Sequence, residues 1–182
     1  MKPAIIFIIR TIAQLYLLVM LLRFWLPWLG ADFRNPIAQG ILRLTSPLVI
    51  PIRRVIPQIG RLDTATIFIA FALQYLTVLI ILTISGAKAG IAPIALTALV
   101  DLVLLSLRLF TFAIFIHIIL SWIAPGTYNP ATAFISMLVT PVLQPFRKWI
   151  PPMGGLDISP MFAIIGLMAL SILIGSYKPF PI

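Results

Sequence analysis

TSPLVIPIRRVIPQIGRLD, residues 45–63, returns 94 residues later as VTPVLQPFRKWIPPMGGLD, residues 139–157. The register holds without gaps: Pro47 answers to Pro141, Pro51 to Pro145, Arg53-Arg54 to Arg147-Lys148, Pro57 to Pro151, Gly60 to Gly154 and Asp63 to Asp157. Outward from this stretch, the same offset pairs Trp28 with Trp122, Asn35-Pro36 with Asn129-Pro130 and Phe68 with Phe162. So many prolines and charges in one register mark an internal duplication, here of two units at residues 1–90 and 91–182.

Composition says where the units reside. The chain is 62% hydrophobic and 9% charged, with a mean hydropathy of +1.16. Soluble domains carry about a quarter charged residues, so a soluble globular fold is excluded. Without cysteine there is no disulfide framework and no thiolate chemistry. The net charge of +9 would suggest nucleic acid in a soluble chain. Here most basic residues flank apolar runs, and lipid phosphate and membrane orientation account for them better. No direct nucleic-acid partner is expected.

Four segments meet the length of about 20 apolar residues that a bilayer requires: roughly 8–29, 64–85, 102–123 and 158–177. Shifting the first two by the repeat offset reproduces the others. The fold class expected is therefore an all-α membrane protein, a tandem duplication of a two-helix transmembrane hairpin. The first apolar run carries Arg10 and Arg23 and lacks a small-residue cleavage site, so it reads as a retained span and not a signal peptide.

Basic residues set the expected orientation. Arg34, Arg43, Arg53, Arg54 and Arg61 lie between the first two spans, and Arg147 and Lys148 between the last two. The other side holds only Lys2, Lys88 and Lys178, with Arg10 inside the span edge. Both long loops are then cytoplasmic and both termini outside, in a multi-pass protein. An even number of spans per unit makes the copies parallel, with their symmetry axis along the membrane normal.

Each long loop opens with Asn-Pro, an N-cap followed by proline at the first helical position. Residues 36–48 then place Ile37, Ile41, Leu44 and Leu48 on one helical face, matched by Ala131, Ile135, Leu138 and Val142. This predicts a short amphipathic helix, interfacial or re-entrant, stopped at Pro47 or Pro141. The prolines beyond it (Pro51 and Pro57, Pro145 and Pro151) forbid regular helix and predict a stiff extended turn.

At this motif the chain resembles the YggT family, also called YlmG, of small bacterial integral membrane proteins. The resemblance covers both copies, because the proline spacing, the basic pair and Gly-x-Leu-Asp occur together twice. It implies an inner-membrane protein of the cell envelope, with plastid relatives. Relatives are linked to division or envelope organisation, to osmotic-shock tolerance, and in plastids to nucleoid distribution and cofactor assembly.

Besides a paired-carboxylate cation site on the pseudo-twofold axis, two readings remain for Asp63 and Asp157. Each caps the helix that follows it, or forms an ion pair with the basic residues ten and nine positions earlier. The basic pairs Arg53-Arg54 and Arg147-Lys148 contact anionic lipid headgroups or dock an acidic cytoplasmic protein. Within the spans, Arg10 and Gln14 share one face, and Asp101 and Arg108 another. Arg108 is the repeat equivalent of Gln14, and pairing of Asp101 with Arg10 or Arg108 is expected. Arg23 and His117 are equivalents nearer the cytoplasmic end, on the opposite faces of their helices. Gln74 has Met168 as its counterpart, so the copies are chemically unequal there. Intramembrane polar groups hold a bundle together by hydrogen bonds or line a path.

No Glu, no nucleophile elbow, no zinc-binding histidine pair and no phosphate-cradling glycine loop is present. No catalytic, cofactor or metal site is expected. The function expected is that of a non-catalytic membrane organiser or assembly factor acting through its Pro/Arg loops. The alternatives are a small channel or transporter, which could be a homo-oligomer, and a structural subunit of an envelope complex.

Overall fold

The computed structural model describes residues 2–123, 126, 129–149 and 157–180. The described residues form six helices: α1 (Lys2–Trp25), α2 (Pro36–Arg53), α3 (Thr64–Ser85), α4 (Ile91–Ile123), α5 (Pro130–Trp149) and α6 (Ser159–Gly175). Three of them, α1, α3 and α4, are long and apolar enough to cross a membrane, which points to a membrane protein. The apolar α6 is 17 residues long, about 25 Å at 1.5 Å per residue.

α3 coincides with the expected 64–85 span because both ends are chemically marked. Asp63 caps its start, and Gly86, at φ 77°, supplies the left-handed C-cap that a side chain would resist. α4 starts eleven residues before the expected 102 and extends the third span to 33 residues. The hydroxyl of Thr97 is tied back to the Pro93 carbonyl at 2.8 Å, satisfying a polar group inside this otherwise apolar extension.

α2 and α5 correct the reading of the prolines. Neither helix stops at Pro47 or Pro141: α2 runs through Pro47 and Pro51, and α5 through Pro141 and Pro145. A spacing of four puts both rings on one exposed side of each helix. The missing N–H groups therefore interrupt one edge of the hydrogen-bond ladder and leave the packed edge whole. Hydroxyls beside each break bond nearby carbonyls, Thr45 to Ile41 (2.6 Å) and Thr140 to Ser136 (2.6 Å). Pro57 lies past the end of α2, where Ile59 and Leu62 exchange backbone hydrogen bonds across a tight turn. Gly60 at φ 60° makes that turn. Pro151 and Gly154 fall outside the described residues.

The Asn-Pro openings are as expected. Asn35 accepts from the Ile37 N–H at 2.9 Å, and Asn129 from those of Ala131 and Thr132, both at 2.9 Å. The buried face of α2 is rotated from the expected one. Ala38, Ile41, Thr45 and Val49 pack inward, whereas Ile37, Leu44 and Leu48 point out. α2 has apolar residues on two sides, and the side bearing Thr45 turns inward because an arginine of α1 bonds there. In α5, Phe134, Leu138, Val139 and Leu143 are buried.

Each repeat packs its three helices together: α1, α2 and α3, then α4, α5 and α6. The repeats join through α3 with α4, α1 with α4 and α2 with α5. A buried cluster that includes Leu26, Ile41, Ile114, Phe134, Leu138 and Leu143 crosses this junction. Trp25 lies edge-on to Phe110 with ring centroids 5.1 Å apart, and the Asn35 amide donates to the Pro130 carbonyl at 2.8 Å.

Candidate functional site: two aspartate junctions and an outer polar pocket

In the first repeat both readings of Asp63 hold at one carboxylate. It caps α3, accepting from the Thr66 N–H at 3.4 Å and the Thr66 hydroxyl at 2.7 Å. Its Oδ2 also accepts from Nη2 of Arg53, and Arg23 Nε lies 3.5 Å from the same oxygen. Arg23 then reaches across to α2, where Nη1 donates to Thr45 Oγ1 (2.8 Å), Ser46 Oγ (3.2 Å) and the Leu42 carbonyl (3.4 Å). The side chains of Arg23 and Asp63 are 6% and 7% exposed. Three helices thus meet on one buried, multiply bonded ion pair. Burial pushes the Asp63 carboxyl up, but hydrogen bonds from Thr66 and the adjacent Arg53 outweigh it and leave it below the ordinary carboxylate value.

Arg23 was not foreseen in this junction. Its one signal is that it is the arginine in the last turn of the first apolar run.

The second junction is built from the same motif with fewer donors. Arg147 Nε binds Asp157 Oδ2 at 2.8 Å, with side chains 39% and 30% exposed. Asp157 Oδ1 accepts from the Ser159 N–H at 3.0 Å. Burial raises this carboxyl too, and the bonds from Ser159 and Arg147 more than reverse the effect. The equivalents of Arg23, Thr45 and Thr66 are His117, Val139 and Pro160. No third helix is drawn onto Asp157 by a guanidinium. An open cleft of about 530 Å³ remains, lined by His117, Ser121, Trp122, Arg147, Asp157 and Met161 among others.

The junctions divide each basic pair. Arg53 and Arg147 clamp the aspartates. Arg54 and Lys148 are exposed and make no ion pair among the described residues. Arg34, Arg43 and Arg61 are exposed on the same loops.

At the other end of the bundle Asp101 corrects the expected pairing. Its partners are Lys178, with Nζ to Oδ1 at 2.7 Å, and Gln74, with Nε2 to Oδ2 at 2.8 Å. Neither Arg10 nor Arg108 binds it. α4 packs on both α3 and α6, so Asp101 is reached from one side by Gln74 and from the other by the chain leaving α6. Arg10, Gln14 and Arg108 instead line a pocket of about 50 Å³ together with Gln74, Asp101 and Lys178. Among the described residues no three His or Asp side chains gather as a metal site would need.

The family described as CCB3/YggT matches residues 3–84 and again 96–177, one match per repeat. An uncharacterized protein of Pseudomonas aeruginosa is 41% identical over 96% of this chain and 89% of its own length. The uncharacterized protein YggT of Escherichia coli K12 is 32% identical over 91% of this chain and 86% of its own. A YlmG homolog from Arabidopsis thaliana, described as chloroplastic, is 36% identical over 35% of this chain and 25% of its own length. No solved structure matches. With its paired Pro/Arg elbows and both repeats matched, the chain belongs to the CCB3/YggT family.

Proposed function

We propose that this protein is a non-catalytic organiser or assembly factor of the bacterial inner membrane, serving envelope or division-related processes. It crosses the bilayer four times, with α6 as a short last span, both termini outside and the α2 and α5 regions in the cytoplasm. The observation that carries this reading is the divided basic pair. One cation of each pair is spent holding the fold, and the other, Arg54 or Lys148, stands exposed at the end of a helix that its neighbouring Arg53 or Arg147 anchors to an aspartate. Rigid placement lowers the ordering cost of docking an acidic partner surface or anionic headgroups.

Reversal of the exposed pair, Arg54→Glu with Lys148→Glu, tests it. In-cell crosslinking from the cytoplasmic loops, read by mass spectrometry, is expected to lose partner capture while insertion and Tm stay as in the parent protein. Capture undiminished by the double reversal would refute the reading.

A second reading, a small channel or transporter contributing to osmotic or ion homeostasis, is favoured by one observation. Polar side chains of both repeats converge on the outer pocket inside an otherwise apolar bundle. Under this reading, reconstituted protein carries an ion flux across liposomes, and Gln14→Leu or Arg108→Leu changes it severalfold. Absence of flux under any ion gradient removes it.

A further inference from the structure

The outer pocket carries a charge imbalance that the described residues do not resolve. Arg10, Arg108 and Lys178 line it against a single carboxylate, Asp101. The chain has four acidic side chains, and the other three lie elsewhere: Asp63 and Asp157 are held in the cytoplasmic-end junctions, and Asp32 lies in the loop before α2. Lys178 and Gln74 occupy both oxygens of Asp101. That leaves Arg10 and Arg108 without a hydrogen-bond or ion-pair partner among the described residues, and Gln14 likewise.

The depth of these groups makes the imbalance matter. Arg10 is about 20 Å along α1 from Arg23, and Arg108 about 14 Å along α4 from His117, at 1.5 Å per residue. With Arg23 and His117 placed at the cytoplasmic edge as proposed above, both fall inside a hydrocarbon layer about 30 Å thick, where an uncompensated cation is costly, and Arg108 is itself exposed on the bundle surface. The two guanidiniums come from different repeats and line one small pocket together with the Gln14 amide. Planar donor forks of this kind match the oxygens of an oxyanion better than they match a halide.

We infer that the pocket between the repeats binds one phosphate-class oxyanion, held by Arg10, Arg108 and Gln14 and opposed by Asp101. The chemistry is shared by dissolved phosphate and by the headgroup of an anionic lipid. It is an equilibrium binding site whether or not any ion crosses the membrane, and it rests on the membrane placement proposed above.

The test is thermal unfolding of the full chain in a neutral maltoside detergent. One arm adds sodium phosphate against a bulky anion at constant ionic strength. The other adds phosphatidylglycerol to the micelles, with phosphatidylcholine as control. A saturable rise in Tm is expected in at least one arm, and the responding arm names the source. Arg10→Gln with Arg108→Gln is expected to abolish the rise. Arg10→Lys with Arg108→Lys, which keeps the charge and loses the forks, is expected to weaken it. Asp101→Asn removes the opposing charge and is expected to tighten apparent binding about tenfold. No saturable rise in either arm overturns the proposal. So does a glutamine pair that responds like the parent protein, or an Asp101→Asn variant with unchanged or weaker binding.

Discussion

Asp63→Asn is expected to lower the unfolding free energy in detergent by about 3–5 kcal/mol, the range seen when one member of a buried ion pair is removed. The amide keeps the shape but not the charge, leaving Arg23 and Arg53 facing each other without a counter-ion. The repeat equivalent, Asp157→Asn, is expected to cost about 1 kcal/mol or less, because its pair with Arg147 is partly exposed. The same carboxylate governs acid sensitivity. Because the folded state holds Asp63 below its unfolded value, its stabilisation is complete above the ordinary carboxylate pKa of about 3.9. It is lost as pH falls through the lower, folded value. Tm measured against pH should therefore drop in acid for the parent protein. The Asp63→Asn variant should show a shallower drop, with only the Asp157 share remaining. Equal costs for the two substitutions, or identical acid profiles, would contradict the unequal junctions described above.

The second large effect is expected at Arg23→Met. The substitution keeps a long side chain in α1 but removes every bond that the guanidinium makes to Asp63, Thr45, Ser46 and the Leu42 carbonyl. Asp63 retains Arg53 and Thr66, so the loss should lie near the lower end of the buried-pair range, about 3 kcal/mol. Arg23 bonds α2 at Leu42, Thr45 and Ser46, so the hydrogen-exchange protection of the α2 amides should fall locally around residues 42–50 as well as globally. His117→Met, at the equivalent place in α4, loses no guanidinium and should remain within about 1 kcal/mol of the parent. Chemical unfolding with backbone exchange measured by mass spectrometry reads both effects. Protection in α2 unchanged by Arg23→Met would show that α2 does not depend on this arginine.

The repeat makes the two junctions look alike on paper, and the difference between them is informative. Arg53 and Arg147 each bind the aspartate ten positions later in the chain. That pairing is local enough to be anticipated from spacing. Arg23 reaches Asp63 from 40 positions away, whereas its counterpart His117 lines an open cleft beside Asp157 in the second copy. Duplication has preserved the motif and let its surroundings diverge.

Hydropathy, the tandem register and capping residues led to the all-helical class, the α3 boundaries and the Asn-Pro helix starts, and charge spacing offered the aspartate–arginine clamp as one reading of Asp63 and Asp157. Each of these depends on a period within one helix or on groups a few residues apart, and such information is carried by neighbours in the chain. Three things were settled by packing: the passage of α2 and α5 through their prolines, the face that α2 buries, and the partners of Asp101. α2 continues past its prolines because their missing donors fall on its exposed edge, while Thr45 and Arg23 hold its packed side. Which of two apolar faces turns inward, or which of three cations meets one carboxylate, depends on how each helix is rotated against the others. No single helix carries that rotation in its own residues.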